Sequence, residues 1–350
     1  MQNPDKGARM KAAFVQTDNT LRLQDTPRPE PGRGELLIEV AYCGVCGTDV
    51  HMLRAGLFPV GCIIGHEVSG RVVEVGDEVE GWTQGEGVVV LPIDPCRSCE
   101  PCRQGDTNLC QDSIVRTHGM GINPGGFSQY MRVRPSALFR MPEGTDMRTA
   151  ALTEPLAVAL RAVNLSSIPA GASAVVMGAG PVGLLTVYAL KAAGAGQVCV
   201  TELDPRRAER ALKAGADLVL DPRLRYPGPE MQQRTGKAPL HVFDCAGTEN
   251  SMEEAAGIVG RHGRVVAVGI HFDGRAGLFP MTWFTKEPTL HFSLGYNLKE
   301  FGDSLAMLGK GAVDAEVLIS DVVPLGQIGK AFALLSTPGH AKILIDCRDV

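Results

Sequence analysis

Two groups of cysteine, histidine and acidic residues carry the chemistry most visible in this sequence. Cys96, Cys99, Cys102 and Cys110 follow the spacing C-x2-C-x2-C-x7-C. Four thiolates this close along the chain can wrap a single ion tetrahedrally, as closed structural zinc sites do. Bacterial iron–sulfur proteins begin with the same short spacings, but their fourth cysteine follows after about three residues and precedes proline. Here seven residues intervene and Gln111 follows. A structural zinc holding a lobe over about 94–112 is therefore expected, with no open position for chemistry.

The second group is looser. Cys46-Gly47-Thr48-Asp49-Val50-His51 and Gly65-His66-Glu67 supply a thiolate, an imidazole and carboxylates near the ends of β-type segments. A catalytic zinc takes about three protein ligands and keeps one exchangeable position, which Cys46, His66 and one carboxylate would satisfy. Glu67 and Glu154, the latter in Thr-Glu-Pro-Leu, are the candidate carboxylates. Taken singly, a buried thiol at Cys46 and a core histidine at His66 are the ordinary alternatives.

A third motif binds phosphate. Met177–Gly183 contains G-x-G-x-x-G as Gly178, Gly180 and Gly183, after the apolar run Ala174–Met177 and before a helical pattern. In such a turn the first glycine permits the tight bend, the second lets the backbone reach a pyrophosphate, and the third lets helix and strand pack closely. Glu202, nineteen residues beyond Gly183, can accept from an adenosine ribose diol, and a carboxylate there repels a 2′-phosphate. NAD is thus favoured. Asp204 is the rival acid, and Arg206 and Arg207 keep an NADP reading open.

The elements that must position these groups fall into zones. From about Lys11 to Met141, short valine-rich runs such as Gly34–Val40, Val68–Val75 and Gly87–Leu91 alternate with glycine and proline, which predicts an all-β barrel or sandwich. From about Leu156 to Leu294, strands alternate with helices such as Val182–Ala193 and Pro205–Ala214. The predicted strands are Ala174–Met177, Val198–Glu202, Leu218–Leu220, His241–Asp244, Arg264–Val268 and Thr289–Phe292. That alternation implies a parallel, doubly wound sheet. The prolines of Pro222–Pro239 argue for surface loop, and Ala341–Asp346 reads as a late strand.

Composition excludes other classes. The 350 residues predict two domains at roughly 150 residues each. A hydrophobic fraction of 44% and a charged fraction of 21% exclude disorder. A net charge of −5 lacks the basic surface that nucleic acid or anionic lipid requires. Glycine, at 42 residues, is in excess and points to many turns or to close backbone approach. Residues 1–11 are polar, so a cytoplasmic protein with reduced thiols is expected, its ten cysteines serving metal or core rather than disulfides. Of these, Cys43, Cys62, Cys199, Cys245 and Cys347 read as core thiols. His118, His241, His262, His271, His291 and His340 show no ligand spacing, with His118 a weak substrate-loop candidate.

In order along the chain, GVCGTDVH (44–51), GHE (65–67), the cysteine cluster, GGFSQY (125–130), TEPLAV (153–158) and GAGPVG (178–183) resemble the zinc-dependent medium-chain dehydrogenases. The likeness is nearest to the polyol, butanediol and threonine branches, and Gly295-Tyr296, Phe301 and Leu308-Gly309 look more butanediol-like than sorbitol-like. The resemblance implies an α/β fold: a GroES-like β-barrel catalytic domain over 1–157, a Rossmann cofactor domain over 158–295, and a return to the catalytic domain over 296–350. It implies zinc ligation by Cys46 and His66 with Glu67 and Glu154 as the acids, Asp49 orienting His66, and a proton relay through Thr48 and His51. Arg207 would pack on the adenine, and Pro181, Val182 and Val268 join the glycines and Glu202 as cofactor contacts. Phe58, Asp112–Asn123 and Phe284–Tyr296 would line the substrate pocket, and a homodimer or homotetramer is expected. The chain departs from the family at Arg161, where histidine is usual, and at Ser128-Gln129.

The implied reaction is hydride transfer between a secondary alcohol, diol or polyol and NAD, with zinc as Lewis acid. An L-threonine-type amino alcohol or a sugar alcohol is the alternative substrate. A zinc-stabilised dinucleotide-binding scaffold or sensor without activity is the alternative of another class.

Overall fold

A computed structural model describes residues 7–270, 277–335, 337 and 339–350. His271 lies outside the described residues. The strands are β1 Arg9–Val15, β2 Leu21–Pro27, β3 Leu36–Val45, β4 Glu67–Val75, β5 Gly87–Val90, β6 Tyr130–Val133 and β7 Leu138–Arg140. They continue as β8 Ala174–Met177, β9 Val198–Thr201, β10 Leu218–Leu220, β11 His241–Asp244, β12 Arg264–Ala267, β13 Thr289–Phe292, β14 Ile319–Pro324 and β15 Lys342–Asp346. Four helices matter below: α1 Gly47–Arg54, α2 Pro181–Ala192, α3 Pro205–Lys213 and α4 Pro227–Thr235.

The chain divides into two compact units, one of residues 1–154, 301–310 and 319–350, the other of 155–300 and 311–318. In the first, strand order is β14-β15-β3-β4-β5-β7, with β6 also pairing β3 and with β1–β2 as a separate hairpin. β3 is buried almost throughout because it is sandwiched between neighbours and packed on both faces; Leu36, Ile38, Val40, Cys43 and Val45 belong to one core with Val68, Phe127 and Ile345. Its register sets the site. Gly44 pairs with Glu67 of β4, and Val45 pairs with Ile343 of β15, so the end of β3 and the starts of β4 and β15 lie side by side.

The second unit is a six-stranded, all-parallel sheet of order β10-β9-β8-β11-β12-β13. This is the Rossmann order, which places ligands at the carboxyl ends of the central strands, where the order reverses. β8, β9 and β11 are fully buried, as parallel strands covered on both faces must be.

One sequence expectation is corrected. Pro222–Pro239 is only half loop, because α4 occupies Pro227–Thr235. Pro227 and Pro229 fall in its first turn, where no intrahelical N–H is required, and left-handed Gly236 ends it. Buried Met231 then anchors the helix to the core shared by β8, β9 and β11. No helix among the described residues is long and apolar enough to cross a membrane.

Helix α2 lies unusually close to β8. A Cβ on Gly183 would stand 1.9 Å from the Gly178 carbonyl oxygen. Gly183→Ala should therefore push α2 off the strand and lower stability by about 1–3 kcal/mol, read as an earlier urea midpoint at unchanged slope. An unaltered midpoint would contradict this close approach.

Candidate metal and cofactor sites

Among the described residues, two groups of His, Cys, Asp or Glu bring their ligand atoms within 4.8 Å of one another: Cys96 with Cys99, Cys102 and Cys110, and Cys46 with His66 and Glu67. The first group sits on tight turns around the short helix Glu100–Gln104, with Cys99 at its N-cap and left-handed Gly105 closing it. Backbone amides point at sulfur: Cys99 N–H donates to Cys96 Sγ at 3.3 Å, and Cys96 N–H donates to Cys110 Sγ at 3.2 Å. Hydrogen bonds from the Ser98 side chain and from the Ser98 and Cys99 amides pull the Cys96 thiol down to about 6. Burial and then the neighbouring sulfurs push Cys102 up to about 12. Four sulfurs so close resist carrying charge together without a cation among them, and the donor set fits zinc.

The second group is assembled by the register of β3. Cys46 follows its last residue and caps α1, its side chain facing the Asp49 N–H while Asp49 Oδ2 accepts from Cys46 N–H at 3.0 Å. The other Asp49 oxygen stands 3.3 Å from His66 Nδ1, and Asp49 is fully buried. Burial pulls the His66 pKa down, but Asp49 and Cys46 outweigh it and hold the imidazole well above its usual range. Thr48 is half-buried in the first turn of α1, and His51 is exposed one turn further on.

Glu67 opens β4 with no exposed surface, and Lys342, 2% exposed at the start of β15, binds both its oxygens at 2.6 and 2.7 Å. The same ammonium donates to the Val45 carbonyl at 3.1 Å, so all its protons are engaged. Burial alone would lower the Lys342 pKa, but Glu67, Cys46 and Glu154 raise it overall. Gly44 makes the room, since a Cβ there would stand 1.9 Å from Glu67 Oε2. Glu154, in the first turn of the helix Thr153–Ser166, lies outside the group that Cys46, His66 and Glu67 form, although its charge reaches Lys342. Sequence reasoning missed Lys342. The available signal was a lysine inside the apolar run Ala341–Ile345, where an unpaired charge does not belong.

The dinucleotide motif occupies the carboxyl end of β8. Gly178 is left-handed at φ +89°, and Gly180 is the N-cap of α2 with nothing within 4 Å of where a Cβ would be. Pro181 and Val182 begin the helix behind it. That open, amide-lined cradle suits a pyrophosphate. Glu202, just past β9, accepts from Ala179 N–H at 2.8 Å and from the Leu203 and Asp204 amides at 2.8 and 2.9 Å. Asp204 instead caps α3, accepting from the Arg206 and Arg207 amides at 2.9 and 3.0 Å. Of the two acids, only Glu202 is thus tied to the glycine loop, and Arg207 sits half-buried in the first turn of α3.

Val268 extends β12, its N–H donating to the Asp244 carbonyl at 2.9 Å. Asp244 itself was not anticipated. Burial raises its pKa, while its carboxylate takes the Ser251 hydroxyl at 2.6 Å and the Ala246 and Gly247 amides, shaping the turn beside Gly178. Arg161 lies within 3.7 Å of buried Glu300, which Asn164 also contacts at 3.0 Å. Ser128 and Gln129 bond the backbone, at Gly125 and Tyr130 and at Lys11.

Removing one partner of the buried pair should be costly. Lys342→Met leaves the Glu67 carboxylate uncompensated and should destabilise by about 3–5 kcal/mol in chemical denaturation. The double variant with Glu67→Gln should recover most of that loss. A single variant as stable as the parent would contradict the pairing.

Comparison with known proteins bears on both units. A family model described as "Alcohol dehydrogenase GroES-like domain" matches residues 32–143, and one described as "Zinc-binding dehydrogenase" matches residues 181–310. The chain is 36% identical, over 91% of its length and 93% of the relative's, to 2-dehydro-3-deoxy-L-galactonate 5-dehydrogenase of Pseudoalteromonas atlantica. The crystal structure of 2R,3R-butanediol dehydrogenase from Bacillus subtilis superposes with a TM-score of 0.88 at 34% identity, covering 96% of this chain and 99% of that one. A putative zinc-binding dehydrogenase of Sinorhizobium meliloti, bound to NADP, superposes with a TM-score of 0.88 at 27% identity over 97% and 99% of the two chains. With likeness of this degree along nearly the whole length, the chain belongs to the zinc-dependent alcohol dehydrogenase family, as an NAD(P)-dependent oxidoreductase of GroES-like and Rossmann build.

Proposed function

We propose that this dehydrogenase oxidises a secondary alcohol of a small diol, polyol or polyhydroxy acid, with NAD as acceptor. The observation that carries the reading is the donor set of Cys46, His66 and Glu67, within 4.8 Å of one another where the end of β3 meets the start of β4. Both Glu67 oxygens face Lys342, so Cys46 and His66 are the free donors and positions remain for a hydroxyl oxygen. Cys46 and His66 hold the cation, Asp49 fixes the His66 ring, and Glu67 and Glu154 supply the acidic side of its surroundings. When bound, zinc polarises the substrate oxygen and NAD accepts the hydride. The Thr48 hydroxyl would accept the substrate hydroxyl's proton while handing its own on toward His51, exposed one helical turn away, which would release a proton to solvent. Cys96, Cys99, Cys102 and Cys110 hold the structural ion.

NAD rather than NADP is supported by Glu202. Its carboxylate is pinned beside the glycine loop, where a 2′-phosphate would meet like charge. The likeness to a butanediol dehydrogenase and to a deoxygalactonate dehydrogenase supports vicinal hydroxyls as the substrate class.

Purified chain should carry two zinc ions, and Cys46→Ser one, with the fold kept and alcohol-dependent NADH formation lost. A panel of butanediol, sorbitol, galactonate and L-threonine, run with NAD and NADP, should give turnover on a vicinal diol or polyhydroxy acid with NAD. Undiminished turnover in Cys46→Ser would sink the assignment, and turnover on L-threonine alone would replace the substrate class.

Self-association is part of the proposal. β13 is the edge of the parallel sheet, and among the described residues it pairs only with β12. Phe292 on this strand is 69% exposed, and Phe284, Phe279 and Ile270, on the segments preceding it in sequence, are 76%, 63% and 60% exposed. An apolar strand edge of this kind is a liability in a monomer, and a second copy related by a two-fold axis would cover it. Light scattering after size exclusion should give a dimer or tetramer, and Phe292→Asp should shift it toward monomer; a monomeric parent would refute the proposal.

A further inference from the structure

Asp94 has no exposed surface and stands two residues before the first cysteine of the zinc lobe. One oxygen, Oδ2, takes Arg116 Nη2 at 2.9 Å together with Arg134 Nε at 2.8 Å and Nη2 at 2.6 Å. Arg116 Nε also donates to the Asp94 carbonyl oxygen at 2.8 Å. Asp94 lies on the segment entering the lobe, Arg116 on the segment leaving it, and Arg134 just beyond β6. The two arginines therefore do different work. Arg134 ties Asp94 to the sheet, whereas Arg116 ties the returning loop to Asp94.

That loop reaches His66 within a few residues. Thr117 bridges Ile93, and His118 N–H donates to the Pro92 carbonyl at 2.9 Å. Gly119 then meets Gly65: Gly65 N–H donates to the Gly119 carbonyl at 3.2 Å, and a Cβ on Gly119 would stand 2.1 Å from Gly65 O. On the other side, Gly126 N–H donates to Gly65 O at 2.8 Å. The residue preceding His66 thus has its amide and its carbonyl both bound by one loop, and the root of that loop is Asp94.

We propose that the Asp94–Arg116 pair is a positioning clamp that fixes the loop 117–126 against Gly65 and thereby sets the place of His66. Asp94 touches no reacting atom; it acts through Gly119 and Gly65. The inference rests on the reading of His66 as a cation ligand, and it links the lobe of four cysteines to that ligand through the backbone. Groups that position a metal ligand are worth about 10–100-fold in metal affinity or activity.

The zinc-loaded enzyme and its Asp94→Asn, Arg116→Gln and Arg134→Gln variants test it, by zinc release to a chromogenic chelator and by amide hydrogen exchange over residues 60–70 and 115–127. In Asp94→Asn and Arg116→Gln, one of the two zinc ions should be lost about 10–100-fold more readily while the ion at the four cysteines stays. Peptides containing Gly65 and Gly119 should exchange faster, and kcat should fall by more than KM rises. Arg134→Gln keeps the Arg116 link and should retain the exchange of the parent at Gly119. Arg116 is partly exposed, so its variant carries the comparison if Asp94→Asn does not fold. Zinc release and Gly65 and Gly119 exchange equal to the parent in both variants would overturn the clamp, even with a lower melting temperature. A parent chain holding only the ion at the four cysteines would instead refute the His66 metal reading, and the exchange at Gly65 and Gly119 would still decide for or against the clamp.

Discussion

A lysine and a glutamate sealed from water, Lys342 and Glu67, meet where the end of β3 lies beside the starts of β4 and β15, in the middle of the sheet. Taking either charge from water costs several kcal/mol, and the pair persists because each charge answers the other and the ammonium's remaining proton finds Val45 O. The pair also settles local electrostatics. Cys46, Glu67 and Glu154 all place negative charge near Lys342, which stays protonated despite its burial. These negative charges thus share one fixed counter-charge. Because β15 comes from the end of the chain and β4 from its first quarter, the same contact makes closure of the sheet a condition for assembling the donors.

The other unit uses the ends of its strands in the same manner with different chemistry. Glu202 follows β9, Asp244 ends β11, and both carboxylates are held by backbone N–H groups rather than by cations. Amides of that kind cannot be substituted away, so the acids keep their places whatever side chains surround them. Asp204 shows the alternative use of an acid two residues on. Committed to the first turn of α3, it leaves Glu202 to face the glycine loop.

What was legible in the sequence was local. The four cysteines, the glycine turn and the β8–β13 strands are each specified within a dozen or so neighbouring residues, and the structure brings the cysteines together and sets the turn at the end of β8. Cys46, His66 and Glu67 were legible as types, and the register of β3 was needed to bring them within reach. Lys342 stands out only as a charge in an apolar run, and its partner was not legible, since Glu67 lies 275 residues away and sequence spacing carries no trace of the pairing. Helix α4 was misread for a different reason. Proline breaks a helix in its interior, but here it occupies the first turn, the position at which its missing N–H costs nothing.

The glycine excess acquires a physical cause from the same geometry. Turns account for part of it, but around the His66 donor group the requirement is steric. A Cβ on Gly44 would strike Glu67, one on Gly65 would lie 2.8 Å from Cys43 Sγ, and one on Gly126 would lie 2.3 Å from Val68 Cγ2. Gly119 and Gly125 press their backbones against Gly65 in the same way. Gly65, Gly119 and Gly125 are therefore packed backbone to backbone and tied by main-chain hydrogen bonds. Such packing has no rotamers to relax, so a displacement at Gly119 passes to Gly65 with little loss. A histidine held this way is positioned by main chain on both sides, which is why a charge pair at the root of the loop can act at His66.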